Sequence, residues 1–282
     1  MAILRGYRNS SPRARSPGFS LPAEGEADLL MPAISATIIA LNEAGSIERA
    51  IRSLGGADEI VVVDSGSTDS TQEIAARLGA RVLVHAFQGF AAQKNFATLQ
   101  ARHDWVLSLD ADEELNPDAQ AALRRWKASE PTAVGYRFAR RARYLGRWIL
   151  HSGWYPDYKL RLFDRRKARW QGDYVHESVG AEGRVETLPG EILHYTCDSL
   201  EAHRRRIEFY TDLAAREMFE RHQGASRLRR WLGPPWVFLH SYLLRLGVLD
   251  GVPGFLIAWM AARYVRRKYV KLALLRAAAQ PP

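Results

Sequence analysis

Val61-Val62-Val63-Asp64-Ser65-Gly66-Ser67-Thr68-Asp69 and, further on, Leu107-Ser108-Leu109-Asp110-Ala111-Asp112 decide how this chain folds. Each is a short apolar run that ends abruptly in carboxylates, the pattern of a buried strand releasing acidic residues at its tip. Working outward, Ile34 to Leu41 is a β-branched run closed by Asn42-Glu43-Ala44-Gly45, after which Ile47, Ala50, Ile51 and Leu54 recur at helical spacing. The cycle repeats. Ser70 to Leu78 reads as a helix stopped by Gly79, Arg81 to His85 as a third strand, Gln93 to Ala101 as a helix, and Trp105 to Leu109 as a fourth strand. Strands alternating with helices predict an α/β fold with a Rossmann-like, doubly wound, mostly parallel sheet.

Pro117 to Lys127 is a further helix with proline at an early position, where its missing N–H costs little. From Ala133 to Val185 the pattern turns strand-like, at Val134 to Arg140, Tyr158 to Asp164 and Val175 to Val179, which predicts mixed strands beside the parallel sheet. After Asp198 it is helical to the end, with a break expected from Gly224 to Pro235. Three regions follow: a disordered basic tail at 1–30, an α/β domain at 31–200 and a helical, membrane-associating extension at 201–282. With 40 Lys+Arg against 31 Asp+Glu the formal charge is +9, which suits an anionic partner. Cys197 is the single cysteine, so an intrachain disulfide is excluded and a cytosolic, reducing setting fits. No cleavable leader is apparent, and the apolar stretch 236–262 is interrupted by His240, Arg245, Asp250 and Pro253, short of a clean spanning helix.

Ligands of open α/β sheets bind beyond the carboxyl ends of the strands. Asp64 with Ser65, Gly66, Ser67 and Thr68 offers an acceptor for base or ribose hydroxyls and a glycine that lets backbone approach closely; the same residues also suit the N-terminal cap of the following helix. Asp110, Asp112, Glu113 and Glu114 put four carboxylates into five positions, which repel unless a cation or solvent relieves them. Such hard oxygen ligands suit Mg²⁺ or Mn²⁺ and, through the ion, a diphosphate. A solvated acidic turn is the plainer alternative.

Ala40-Leu41-Asn42-Glu43, Val63-Asp64-Ser65-Gly66-Ser67-Thr68-Asp69, Gln93-Lys94-Asn95 and Asp110-Ala111-Asp112 together resemble the successive motifs of family 2 glycosyltransferases with the GT-A fold. Trp154-Tyr155-Pro156-Asp157, Lys159-Leu160-Arg161-Leu162-Phe163, Val175-His176-Glu177 and Leu193-His194-Tyr195 resemble the branch that includes lipopolysaccharide core β-glycosyltransferases, and the likeness runs from about residue 34 to 265. Ala40-Leu41 departs from the Pro-Thr/Cys-Tyr of many relatives. The resemblance implies inverting transfer of a sugar from a nucleoside diphosphate sugar, UDP being the expected nucleotide, to a hydroxyl of a lipid-linked glycan. Asn42, Glu43, Asp64 and Asp110 would then lie at the donor nucleotide, Asp112 would ligate Mg²⁺ or Mn²⁺, and Lys94 or Arg161 would face the departing phosphates.

An acceptor-side base is also needed, and Glu177, Asp157 and Asp173 compete for it, Glu177 first. His194 is a metal ligand, a diphosphate donor or a packing histidine. Transfer to a polyprenyl phosphate, which needs no strong base, and a non-catalytic nucleotide-binding membrane scaffold are the rival readings.

Residues from Trp231 to Trp259 are rich in aromatics and flanked by Arg227, Arg229, Arg230 and by Arg263, Arg266, Arg267, Lys268 and Lys271. That composition suits a helical arm lying on an anionic leaflet at the inner face of the cell membrane, with a packed helical cap or a homo-oligomer face as the alternatives. No nucleic-acid-binding signature is present in the sequence.

Overall fold

The computed structural model describes residues 31–172, 177–197, 199–224 and 227–279; the expected tail at 1–30 lies outside them. The first half is the repeated unit that the β-branched runs predict: β1 (Ile34–Ala40), α1 (Ile47–Ser53), β2 (Glu59–Asp64), α2 (Thr71–Arg77), β3 (Arg81–Val84), α3 (Phe90–Gln100) and β4 (Trp105–Asp110). These strands pair in the order β3-β2-β1-β4, all parallel. Because helices cover both faces, the strands are apolar on both sides. Leu107 and Leu109 join Ile34, Ile38, Val62, Leu123 and Phe138 in one core, while Val106 joins Phe163 and Trp170 in another.

The second half widens the sheet. It comprises β5 (Glu113–Leu115), α4 (Pro117–Lys127), β6 (Gly135–Tyr144), β7 (Arg147–Trp148), β8 (Asp157–Asp164), β9 (Ala168–Gln171), β10 (Ser178–Ala181) and β11 (Val185–Cys197). Strand β8 enters antiparallel between β4 and β6, β11 runs parallel to β6, and β5 closes that side antiparallel. The mixed strands expected beside the parallel sheet are thus present, with β8 reversed against both of its neighbours. Strands β9 and β10 form a separate antiparallel pair. Val175, expected in a strand, lies outside the described residues, and that strand begins at Ser178.

Asn116 shows how the halves are locked. Its side-chain oxygen caps α4 by accepting from Ala119 N at 2.8 Å and also accepts from Glu191 N of β11 at 3.0 Å. Gly190, at φ +91°, lets β11 pass so close to α4 that a Cβ there would lie 2.1 Å from Ala119 N, so no other residue fits without moving the strand.

From Met31 onward the chain is one compact unit. Its last part is α5 (Leu200–Glu220), α6 (Arg227–Leu239), a π-helical turn at His240–Leu244, a 3₁₀ turn at Gly247–Asp250 and α7 (Val252–Ala279). The break expected at Gly224 to Pro235 is shorter than that range, because α6 carries Pro234 and Pro235 inside it. The prolines remove the two helical donors that would serve the carbonyls four residues back, at Arg230 and Trp231, and both of those residues are exposed, so water can reach them instead. Asp250 anchors this part: its carboxylate accepts from Leu150 N, His151 N and Ser152 Oγ, and lies 3.0 Å from His151 Nδ1. Between helices, Glu208 of α5 holds Arg267 (2.6 Å) and Lys271 (3.1 Å) of α7.

Candidate active site

The register of the parallel strands fixes the site before any side chain is considered. Ala40 pairs with Asp64 on one side of β1, and Ile39 pairs with Asp110 on the other. Both acidic loops therefore leave the same edge of the sheet, flanking the Leu41–Gly45 loop that carries Asn42 and Glu43. This is the point where the strand order reverses, the place where open α/β sheets take ligands.

The loop after β2 is tied to itself and to the loop after β1. Asp64 is fully buried, and its Oδ1 accepts from Gly66 N (2.9 Å), Ser67 N (2.7 Å) and Gln72 Nε2 (2.7 Å), with Ser67 Oγ on the other oxygen. Asn42, at φ 56°, accepts from Thr68 N at 2.8 Å and donates its own N–H to Ser67 Oγ. Glu43 N donates to Thr71 Oγ1, and Ala44 N to Asp69. A buried acceptor must be satisfied, and here donors of the loop and of Gln72 consume the Asp64 carboxylate; it shapes the loop rather than capping α2, whose Thr71 N donates to Asp69 instead.

The loop after β4 behaves differently. Asp110 and Glu113 are relieved by cations from three other elements, within an unbroken alternation of charge. Glu177 meets Lys94 (3.2 Å), Lys94 meets Asp110 (2.8 Å), Asp110 meets Arg161 (3.0 Å), Arg161 meets Glu113 (2.7 Å), Glu113 meets Arg140 (3.1 Å), Arg140 meets Asp157 (2.7 Å), and Asp157 meets Lys159 (3.1 Å). Lys94 and Arg161 are each 3% exposed and lie over the Trp170 ring, 4.4 and 5.7 Å from its centre. Burial pushes the Asp110 carboxyl up, but Lys94 and Arg161 override it and hold the group far below the usual carboxylate range. Burial works the same way on Asp157, where Arg140 and Lys159 win and leave its carboxyl low. Around Lys94 the other two motif residues act as ties: Gln93 reaches Ser65 Oγ and His85 O, and Asn95 clamps the Trp170 backbone through both N and O.

Asp112 is the exception in its loop. Asp110, Glu113 and Glu114 each meet Lys or Arg, whereas the partner of the Asp112 carboxylate among the described residues is His194, with Nε2 3.2 Å from Oδ2. The strand pairing His194↔Glu113 at the β11–β5 seam places the imidazole there. Two donor atoms at that separation match neighbouring ligands of one octahedral ion, for which bond lengths of about 2.1 Å put adjacent ligands roughly 3 Å apart. No group of three or more His, Cys, Asp or Glu is placed to hold a metal ion among the described residues, so this pair would leave most positions of an ion to other ligands. A partial protein cage is how Mg²⁺ is ordinarily bound with phosphates.

Helix α5 supplies residues that the sequence did not single out. Burial raises the Glu43 carboxyl; Ser46 opposes this, Asp112 adds to it, and Arg206 of α5 opposes it. Tyr210, one turn beyond Arg206, has its hydroxyl pKa raised first by burial, with Glu177, Asp112 and Asp110 contributing. Arg206 and Tyr210 line a 330 Å³ cavity with Trp154, His203 and residues of α6 and α7. His203, pushed down to about 4 by burial and by Arg206, sits 2.7 Å from the Tyr144 hydroxyl.

The sequence-predicted residues thus fall into groups. Asn42, Glu43, Asp64, Asp110 and Asp112 stand at one sheet edge; Lys94, Arg161, Asp157 and Glu177 belong to the ion-pair chain; His194 joins Asp112. Asp173 lies outside the described residues. Lys94 and Arg161, expected to face phosphates, have their charge met by carboxylates of the protein. Arg140 was missed, although its place in the Arg-rich run of β6 is the one signal available; Arg206 and Tyr210 gave no signal because nothing in a helical pattern reveals which turn faces a distant loop.

A parallel α/β sheet with paired acidic loops at its switch point is the GT-A type of fold. The comparisons with known proteins agree: the Glycosyl transferase family 2 model matches residues 35–181. An uncharacterized glycosyltransferase of Rickettsia bellii is 31% identical over 261 residues, 88% of each chain. The lipopolysaccharide core biosynthesis glycosyltransferase LpsC of Rhizobium meliloti is 32% identical over 238 residues, 82% of this chain and 88% of that protein. A crystal structure of glucosyl-3-phosphoglycerate synthase from Mycobacterium tuberculosis with Mn²⁺ and UDP is 32% identical over 29% of this chain and 34% of that one, at a TM-score of 0.27. The chain belongs to glycosyl transferase family 2, and it has a lipopolysaccharide core glycosyltransferase among its relatives.

Proposed function

We propose that this glycosyltransferase moves a sugar, with inversion, from a nucleoside diphosphate sugar, UDP being the expected nucleotide, to a hydroxyl of a lipid-linked glycan such as lipopolysaccharide core. The observation that carries this reading is Asp112: within a loop whose other carboxylates are neutralised by Lys and Arg, it alone stands beside a histidine at the ligand-binding edge. Asp112 and His194 would hold Mg²⁺ or Mn²⁺, which when bound supplies positive charge against the diphosphate. Asn42 and Glu43 would border the nucleoside, with Asp64 acting through the shape of the Ser65–Thr68 loop and Asp110 through the position of Lys94.

On the acceptor side Glu177 takes the hydroxyl proton as the acceptor oxygen attacks the anomeric carbon and the nucleoside diphosphate leaves. Asp157 suits that role less, because Arg140 and Lys159 depress its basicity. Residues 201–282 are the membrane-associating extension in this reading, which sets the enzyme peripherally at the inner face of the cell membrane, where lipid-linked acceptors are met. Among the described residues no helix is long and apolar enough to cross a membrane.

The test is thermal stabilisation by UDP and by UDP-glucose, UDP-galactose, UDP-N-acetylglucosamine and GDP-mannose, each with and without Mn²⁺. One donor with Mn²⁺ should raise Tm well beyond either component alone. Glu177→Gln should then lower kcat about a hundredfold with donor KM little changed. Metal-independent nucleotide binding with no turnover of any donor would overturn the reading.

A further inference from the structure

The C-terminal arm concentrates two properties that elsewhere in the molecule are scattered or cancelled. The first is exposed apolar surface. Trp231 (75% exposed), Trp236 (59%) and Trp259 (56%) belong to a run in which Leu228, Leu232, Leu239, Leu243, Leu244, Leu246, Val248, Leu249, Val252 and Phe255 are all exposed. Soluble monomers rarely leave contiguous apolar patches of more than a few hundred Å² uncovered.

The second is charge. Residues 227–282 hold ten of the forty Lys+Arg and one of the thirty-one Asp+Glu, so residues 1–226 carry thirty of each and the whole net charge of +9 resides in the arm. Its one acid, Asp250, is 7% exposed and turned inward to the 150–152 backbone.

Both properties meet in one groove. Between α6 and α7 a trough of about 770 Å³ is lined by Pro234, Pro235, Phe238, Leu239 and Trp259 together with Arg263, Arg266 and Arg267; Phe238 packs on Phe255 toward one end, and Gly233 lies level with Val265, among the arginines, toward the other. On α7, Val252, Phe255, Trp259, Arg263 and Arg266 follow one another at helical spacing along a single stripe, apolar first and cationic after. Arg267 is held by Glu208 at 2.6 Å and Arg263 lies 4.0 Å from the same carboxylate. Arg266 is exposed and meets no carboxylate among the described residues.

We propose that this face seats in an anionic lipid leaflet, with acyl chains in the Phe238–Trp259 end of the α6–α7 groove and lipid phosphate at Arg263 and Arg266. This deepens the membrane-associating reading of residues 201–282, and it is independent of the donor chemistry. A bilayer is favoured over a second copy of the chain because two arms would bring like charges together, whereas an anionic leaflet matches both the cations and the exposed tryptophans. The arm lies in the interface plane with its tryptophans at the headgroup level.

Flotation of the full chain with vesicles tests this. Phosphatidylcholine vesicles containing phosphatidylglycerol should bind it at least about tenfold more tightly than phosphatidylcholine alone, and added salt should reduce the difference. Arg263→Gln with Arg266→Gln should abolish the preference for the anionic vesicles, and Trp231→Ser with Trp236→Ser should weaken binding to both kinds. All variants should keep the wild-type circular-dichroism melt and the wild-type stabilisation by UDP with Mn²⁺. Equal binding to both vesicles, binding to neither, or a lipid-free dimer that the tryptophan variants convert to monomer would overturn the proposal. Vesicle binding without any nucleotide stabilisation would instead leave the dock standing and remove the transfer reading.

Discussion

The two acidic loops that flank β1 look alike in sequence and are built on opposite principles. After β2, the carboxylate of Asp64 is answered by neutral donors from its own loop and from Gln72, so no cation is needed to hold it. After β4, the carboxylates of Asp110 and Glu113 are answered by Lys94, Arg161 and Arg140, which come from α3, β8 and β6. The first loop is held by neutral bonds within itself and to the adjoining loop after β1; the second exists only when cations from distant elements are assembled. Local satisfaction gives a rigid rim, and long-range ion pairing gives a buried charged floor that leaves Asp112 as its open member.

Replacing Asp112 by Ala should break the comparison most sharply if it is wrong. Turnover should fall about a thousandfold, the scale of losing a charge-stabilising group at a phosphate leaving group, while the thermal melt stays close to wild type because no Lys or Arg pairs with Asp112 among the described residues. An Asp112→Ala protein with wild-type turnover would mean that the second loop is purely structural, like the first. Removing Asp110 instead leaves Lys94 and Arg161 buried with one counter-charge fewer. Breaking one side of a buried ion pair costs about 3–5 kcal/mol, so Asp110→Ala should lose that much in a denaturant melt, and a loss below about 1 kcal/mol would show that the floor is solvent-screened.

The same asymmetry explains how much could be read from the residues. Strands β1 to β4 and helices α1 to α4 were legible because their signals are local: β-branched runs, helical spacing and punctuating Gly and Pro. Strand β11 was not, since Pro189 and Gly190 between Glu186 and Glu191 imitate a loop, and its register shift between Thr187 and Glu191 absorbs the irregularity. Strand β5 is too short to show periodicity. In the site, the crowding of Asp110 to Glu114 announced that cations were required. Which cations could not be known, because Arg161 and Glu113 meet across forty-eight positions of chain and Arg206 acts on Glu43 from another helix.

Asp64→Ala sharpens the contrast from the other side. It strands donors that are neutral, and Gly66 beside it is exposed, so water can replace part of what is lost. An unsatisfied neutral donor costs about 1–3 kcal/mol, so a net loss of about 2 kcal/mol, smaller than that for Asp110→Ala, is expected from paired denaturant melts. The reverse order would mean that the rim, and not the floor, carries the stability of this edge.

The smallest effect probes the one group through which the loops feel each other. Glu43 belongs to the first loop system, yet after burial and the opposing Ser46 bond the charge of Asp112 is what raises its carboxyl further. A folded-state pKa above the unfolded value favours the folded form while both states are protonated, and this contribution is lost as pH rises from the ordinary glutamate value of 4.5 through the folded pKa. Wild type should therefore lose stability relative to Glu43→Gln as pH rises from about 4.5 to about 7, by less than about 1 kcal/mol because solvent screens the partly exposed carboxyl. Adding Asp112→Asn to both proteins removes one of the repelling charges, so the pH slope that separates wild type from Glu43→Gln should flatten in that background. A slope unchanged by Asp112→Asn would show that the two loops are electrostatically separate, and that burial alone sets the protonation of Glu43.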